Sequence, residues 1–323
     1  MALSAGQGGT VLPAAESLPA FSARTRLLVI APHPDDETIA TGLLVQQVIA
    51  AGGAVRIVLL TPGDNNPWPQ RWLERRLWVG AAARRRWGQR RCGEMRLALQ
   101  RLGLDAQVLH PLGWPDLGVT GVLQRAAPVA CEAIGGIIDD FDPDLIAAPD
   151  LADHHPDHAA AHVLLRLALA RRADPPRVLA YLVHGQDGAA RRIEVTGSDA
   201  QRSAKSAALS EHRSQMALSS RRMHRLAGRP ERYAIVPRPP AARPLVLPWQ
   251  PSRLWHPWLR ISLASAEAVV SWHWRDAPLQ RDADGCFHVL PDAVGKGPCF
   301  VRLASVLPSP WIFDRWGWHE LAG

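Results

Sequence analysis

One histidine and three carboxylates fall within five residues, His33-Pro34-Asp35-Asp36-Glu37, directly behind the apolar run Leu27-Leu28-Val29-Ile30. A second dense cluster, His154-His155-Pro156-Asp157-His158, follows another apolar run, Leu145-Ile146-Ala147-Ala148. Packing does not call for so much ionisable chemistry beside a core, because unpaired buried charge is costly. His33 and Asp36 are three apart at a strand-to-helix turn, so both side chains can point to one place. A third ligand from the second cluster gives two histidines and one carboxylate, the count of a catalytic zinc site with a position left open. Water at an open position is acidified to a pKa of about 7. Asp35, adjacent to a ligand but spare, suits the role of proton acceptor. A further histidine across the site could stabilise an oxyanion or protonate a leaving amine, if a carboxylate such as Asp157 keeps it charged. On spacing alone His154, His155, His158 and His162 compete for the ligand position. Either cluster taken singly also fits a hydrogen-bonded histidine and carboxylates placed at a helix N-terminus; the pair together, each behind an apolar strand, points to one site.

The elements that must position these groups are legible from periodicity. Strands are expected at Arg26–Ala31, Val55–Thr61, Ala106–His110, Asp144–Pro149, Val178–Val183, Arg191–Thr196 and Arg232–Val236. Helices are expected at Glu37–Ala51, Cys92–Leu102, Gln124–Ile138, His158–Arg172, and from the Ser198 N-cap through Met216. Alternating strands and helices, with strands apolar on both faces, predict an α/β, Rossmann-like, mostly parallel sheet with helices on both faces. In such a sheet ligands bind beyond the carboxyl ends of the strands, and both clusters follow strands at that edge. The organisation expected is a flexible arm over 1–24, a catalytic domain over 25–236, a Pro-rich linker over 237–257 and a small, β-rich, Trp-rich appendage over 258–323.

His33-Pro34-Asp35-Asp36-Glu37 together with His155-Pro156-Asp157-His158 resembles the PIG-L / LmbE-like family of zinc-dependent N-acetylglucosaminyl deacetylases. Glu94, the Gly113-Trp114-Pro115-Asp116 turn and Lys205…Ala208-Leu209…His212…Ser214-Gln215 add to the likeness. The resemblance implies a Rossmann-like fold and hydrolysis of the acetamide of an amino sugar. It makes His33, Asp36 and His158 the zinc ligands, with Fe2+ a second candidate ion. It makes Asp35 the general base, His155 the group that stabilises the oxyanion and protonates the amine, and Asp157 its orienting partner. It leaves His154 and His162 as solvated or supporting residues, and offers Asp116, with Arg84 and Trp114, as substrate contacts. Asp153 stands two residues before His155, where some members place a tyrosine that assists the transition state.

Composition bounds the alternatives. The chain has 323 residues, 47% of them apolar, and a net charge of +7 carried almost wholly by arginine. A basic balance suits anionic partners, here an N-acetylated sugar or glycoconjugate of anionic character or a peripheral contact with a membrane surface; no nucleic-acid reader motif is present, and no apolar run is long enough to span a bilayer. The N-terminus makes a poor signal peptide, so a cytoplasmic location is expected. Cys92, Cys131, Cys286 and Cys299 form no CxxC pair, which predicts free thiols. Between Trp68 and Arg91 lie four tryptophans and eight arginines with one acid, Glu74. This segment reads as a solvated helix whose tryptophans pack inward, or as a lid over the site. Two other classes share the ligand set or the surface: a non-haem iron oxygenase, and a degenerate deacetylase retained as a glycan-binding module.

Overall fold

The structure, a computed structural model, describes residues 17–185, 192–237, 245–295, 297–307, 312–313 and 315–321. Thirteen strands are described: β1 Arg26–Ala31, β2 Ala54–Leu59, β3 Leu109–Pro111, β4 Leu145–Pro149, β5 Arg177–Tyr181, β6 Ile193–Val195, β7 Glu231–Ile235, β8 Leu259–Ala264, β9 Val269–His273, β10 Leu279–Arg281, β11 Phe287–Val289, β12 Cys299–Ser305 and β13 Trp318–Leu321. Seven α-helices accompany them: α1 Asp36–Ala50, α2 Pro67–Glu74, α3 Ala81–Arg101, α4 Val119–Phe141, α5 Pro156–Leu169, α6 Asp199–Glu211 and α7 Arg213–Ala227.

The main sheet has the order β3-β2-β1-β4-β5-β7-β6. β3, β2, β1, β4 and β5 run parallel, and β7 turns antiparallel against both β5 and β6. Chain order reverses between β1 and β4, so the loops after these strands open the crevice in which such sheets bind ligands. Those loops hold the two clusters. β1 and β4 are buried on both faces because helices cover both. One face packs Leu27, Val29 and Leu145 under α1 and α3, and the other packs Leu28, Ile30 and Ile146 under α4 and α5.

The departures from expectation have local causes. The third strand starts at Leu109, because Asp105 caps a short 3-10 turn over Ala106–Val108 through its side chain. The helix expected from Cys92 begins a full three turns earlier, at Ala81. The helix capped by Ser198, which has a complete capping box, breaks at His212. There the Glu94 carboxylate accepts hydrogen bonds from the Ser214 backbone (3.0 Å) and hydroxyl (2.6 Å) and starts α7 in a new direction. Of the arm, residues 17–24 are not loose: Leu18 and Phe21 pack on the core. Residues 1–16 lie outside the described part.

β13, β12, β8 and β9 form an antiparallel sheet, as the Trp-rich region suggested. It is not a separate body joined by a tether. Ala264, Phe300 and Trp318 enter the same buried cluster as α4 and α5, and Arg166 on α5 pairs with Glu320 at 2.8 Å. Part of the expected linker is also ordered, with Leu245 and Leu247 bonded to the backbone of β11. All four cysteines are free. Among the described residues no helix is long and apolar enough to cross a membrane.

Candidate active site

The turn from β1 into α1 is drawn tight. Asp35 precedes α1 with φ of 132°, a conformation that costs a non-glycine residue roughly 1–3 kcal/mol and persists only where neighbours hold it. They do so here. The buried Glu37 carboxylate accepts the Asp35 backbone N–H at 3.0 Å, and Arg91 donates to the Pro34 carbonyl at 2.8 Å and to the Asp35 carboxylate at 3.2 Å. Glu37 is itself fixed by the buried His212, 3.2 Å away, and by the Thr38 hydroxyl. Arg91 also donates to the Gly63 carbonyl at 2.7 Å, and a Cβ at Gly63 would lie only 2.0 Å from the guanidinium. Glycine is required there for Arg91 to reach the turn.

Three atoms converge at the crevice. His33 Nδ1 lies 3.3 Å from Asp36 Oδ2, His158 Nε2 lies 3.2 Å from the same oxygen, and the two nitrogens are 3.3 Å apart. The far nitrogens of both rings are engaged. His158 Nδ1 faces the Asp153 carboxylate at 3.1 Å, and His33 Nε2 faces Asp116 and Asp157, each at 3.3 Å. Each ring has a carboxylate at its far nitrogen to accept a proton there, so a cation can take the place of a proton at the near nitrogens. With the ring protons on the far nitrogens, the near atoms are three lone-pair donors pointing at one another, an arrangement that fits a cation. Tetrahedral zinc with bonds of about 2.0–2.2 Å sets its ligand atoms on the order of 3.3 Å apart, matching these separations. His33 with Asp116 and Asp157 is a second close grouping, but those carboxylates meet the protonated side of the ring and support it.

The charges follow from burial and neighbours. Burial alone would lower His158, yet Asp153 and Asp36 outweigh it and hold its pKa up at about 10. Burial likewise opposes charge on Asp36, and His158 and His33 overcome it and hold the carboxyl well below its ordinary range. Asp35 differs: burial pushes it up to about 6, with Arg91 pulling the other way. His155 is pushed far down by burial and then by His33, His158 and His184.

His33, Asp35, Asp36, Asp116 and His155 line one cleft of about 160 Å³ at the carboxyl edge of the sheet. Three expectations need correction. The Asp157 carboxylate does not reach the His155 ring. It accepts from Leu117 N at 2.7 Å and Val119 N at 3.0 Å and faces His33, so it orients His33 and pins the 116–119 loop. His155 is accordingly not kept charged. Its Nδ1 accepts the Asp157 backbone N–H at 3.3 Å, which leaves the proton on Nε2. Arg84 and Trp114 do not line the cleft: Arg84 points to solvent from α3, and Trp114 packs back against the core under α4. His162 is buried on the Pro149 carbonyl, and His154 is exposed.

Sequence reasoning missed several residues. Arg91 was hidden in an arginine-rich segment, although its neighbours face water. Asp153 occupies the place where a tyrosine was sought, and instead fixes the His158 ring while also accepting Val183 N (2.9 Å) and His184 N (3.0 Å). Asn65, Asn66, His184, Arg222 and Phe313 also line the cleft. His184 follows β5 at the same sheet edge, a topological signal that was available. A larger cleft of about 920 Å³ lies between the ends of α4 and α5 and the β8–β9 turn, far from this chemistry.

Residues 28–169 match the family described as PIG-L: GlcNAc-PI de-N-acetylase. The chain is 31% identical over 160 residues to the 1D-myo-inositol 2-acetamido-2-deoxy-alpha-D-glucopyranoside deacetylase of Mycobacterium sp. (strain KMS), covering 45% of this chain and 50% of that one. It is 28% identical over 186 residues to the protein of the same description from Saccharomonospora viridis, covering 54% and 68%. The chain spans about half the length of the curated relatives it matches. Among solved structures, a deacetylase triple mutant of the teicoplanin biosynthetic pathway superimposes with a TM-score of 0.51 at 21% identity, over 66% of this chain and 98% of that one. The N,N'-diacetylchitobiose deacetylase from Pyrococcus horikoshii gives 0.52 at 19% identity, over 66% and 84%. These structural likenesses concern the fold. The HPDDE and HPDH motifs both fall inside the matched stretch.

Proposed function

We propose that the cleft is the active site of a metal-dependent deacetylase that hydrolyses the N-acetyl amide of an amino sugar or its conjugate. The observation that carries this reading is the convergence of His33 Nδ1, Asp36 Oδ2 and His158 Nε2 within 3.2–3.3 Å of one another, with the carboxylate of Asp35 in the cleft that His33 and Asp36 line. These three atoms would hold a zinc ion, with Fe2+ the alternative occupant of the same donors. Bound there, the ion would supply Lewis acidity and a water acidified to a pKa of about 7.

The chain's own groups divide the remaining work. Asp35, poised by burial near neutrality, takes the proton of the attacking water and returns it to the departing amine. His155 presents Nε2–H to the cleft, where it donates to the oxygen that gains charge as the amide carbonyl is attacked. Asp153 and Asp157 fix the rings of His158 and His33 so that their lone pairs face inward. Asp116 lines the cleft with both oxygens engaged, by His33 and by Asn65 N at 2.7 Å, and so shapes the loop that meets the substrate. The relatives described above are deacetylases, which favours amide hydrolysis over an oxygenase built on the same donors.

The test is acetate release by the purified chain across a panel of N-acetylated amino sugars and their conjugates, before and after chelation and after return of zinc or iron. Release that disappears on chelation and returns with metal is expected. Release indifferent to chelation, or oxygen uptake with a 2-oxo acid in its place, contradicts the reading.

A further inference from the structure

We propose that α2 and the loop that follows it form a docking surface for an anionic lipid bilayer, set at the rim of the cleft. The segment has a clear inside and outside. Gln70 is fully buried and donates to the Ala83 carbonyl at 2.8 Å, which fastens α2 to α3, while α7 supports it from beside the cleft. On the outer side Trp68 and Trp72, one helical turn apart, are 67% and 66% exposed, and Leu77 and Trp78 are 84% and 88% exposed. The expectation that these tryptophans pack inward holds only for Trp87, which is fully buried. Large apolar groups gathered on one surface mark an interaction site more often than a solvated face.

The charge on this surface has one sign. Arg75, Arg76 and Arg85 are exposed and enter no ion pair among the described residues, and Arg71 lies over the Trp68 ring at 5.1 Å. Glu74, the one acid of the segment, is already held by Arg86 at 3.5 Å and by Gln70 at 3.1 Å. A second copy docking through a two-fold contact would press these arginines against their own counterparts, with no carboxylate left to answer them. A bilayer carrying anionic lipid meets both demands. Indoles and leucines settle at the boundary of headgroups and acyl chains, and guanidinium groups pair with phosphates.

The position gives the contact a use. Asn66 immediately precedes α2 and lines the cleft with Asn65, so a membrane met by α2 would lie beside the cleft mouth. A lipid-linked amino sugar could then be presented without leaving the surface. The docking itself does not depend on the catalytic reading.

The test is flotation of the full chain with vesicles of phosphatidylcholine alone and with added phosphatidylglycerol. Binding is expected only with the anionic lipid, weakening as salt is raised. Trp72→Ala/Trp78→Ala and Arg75→Glu/Arg76→Glu should each lower the bound fraction by about tenfold or more, with an unchanged thermal midpoint showing that the variants fold. The proposal is overturned if the wild-type chain fails to float with anionic vesicles, if neutral vesicles bind equally, or if folded variants bind like wild type. It is also overturned if sedimentation shows self-association that the tryptophan variant abolishes, or if duplex DNA is bound with the same arginine dependence while vesicles are not. Vesicle binding without acetate release would leave the docking standing and remove the deacetylase reading, and the converse result would do the opposite.

Discussion

In the proposed mechanism Asp35 moves a proton and Asp36 holds the ion, and their surroundings set the two neighbouring carboxylates apart. Both are buried, but Asp36 faces two imidazoles and Asp35 faces one guanidinium. Asp36 is thereby held ionised, whereas burial keeps Asp35 up at about 6 with Arg91 restraining the rise. A general base works only without its proton, so hydrolysis should decline as pH falls through about 6. Removing Arg91 removes the restraint, so Arg91→Ala should move the acid limb of the rate profile to higher pH and depress the rate near neutrality more than at alkaline pH. An unmoved acid limb would show that Arg91 does not tune this group. At this scale the motifs were informative and the partnerships were not. Residue type and spacing pointed to His33 and Asp36 and left His154, His155, His158 and His162 competing until the family resemblance chose His158, and nothing in the spacing tells that Asp157 turns toward His33, or that Asp153 supports His158. Those depend on where the 116–119 and 183–184 loops lie.

At the scale of elements, the site stands on α1, and α1 is tied to the antiparallel edge of the sheet by buried polar groups. Lys205 on α6 pairs with Glu231 on β7 at 2.6 Å and donates to the Ile39 carbonyl. Glu231 in turn accepts the backbone N–H groups of Leu43 and Leu44 and the Tyr233 hydroxyl. Truncating one partner of a buried pair strands the other's charge, which costs about 3–5 kcal/mol. Lys205→Met should therefore lower stability by that order in urea unfolding, and Lys205→Met/Glu231→Gln should recover part of it. A single variant as stable as wild type would contradict the tie. The order of strands and helices was plain in the sequence because apolar runs and glycine stops mark it. The break at His212 was not, since it is imposed by Glu94 from another helix rather than by any local stop signal.

At the scale of the whole molecule, the Trp-rich region extends the hydrophobic core rather than hanging from it. Phe300 and Trp318 sit in the cluster that also holds Ile134, Ala160 and Leu164 under the main sheet. Phe300→Ala should cost about 3–5 kcal/mol, and the loss should appear equally in helical circular dichroism and in tryptophan fluorescence, because one shared core gives one transition. An earlier fluorescence transition with the helical signal unmoved would show that the two sheets unfold apart. The sequence marked a change in composition near residue 237 and suggested a tether. Composition does not say which face of a new sheet is apolar, and here β8, β12 and β13 each give buried residues to two separate apolar clusters.

The central claim is that His33, Asp36 and His158 hold the ion and Asp35 moves the proton. Metal content of the purified chain, measured together with acetate release for Asp35→Asn and His158→Ala, tests it most directly. Asp35→Asn should keep one ion per chain and lose about 10²–10⁴ in rate, and His158→Ala should lose both ion and hydrolysis. A full complement of metal in His158→Ala, or wild-type hydrolysis by Asp35→Asn, would contradict it.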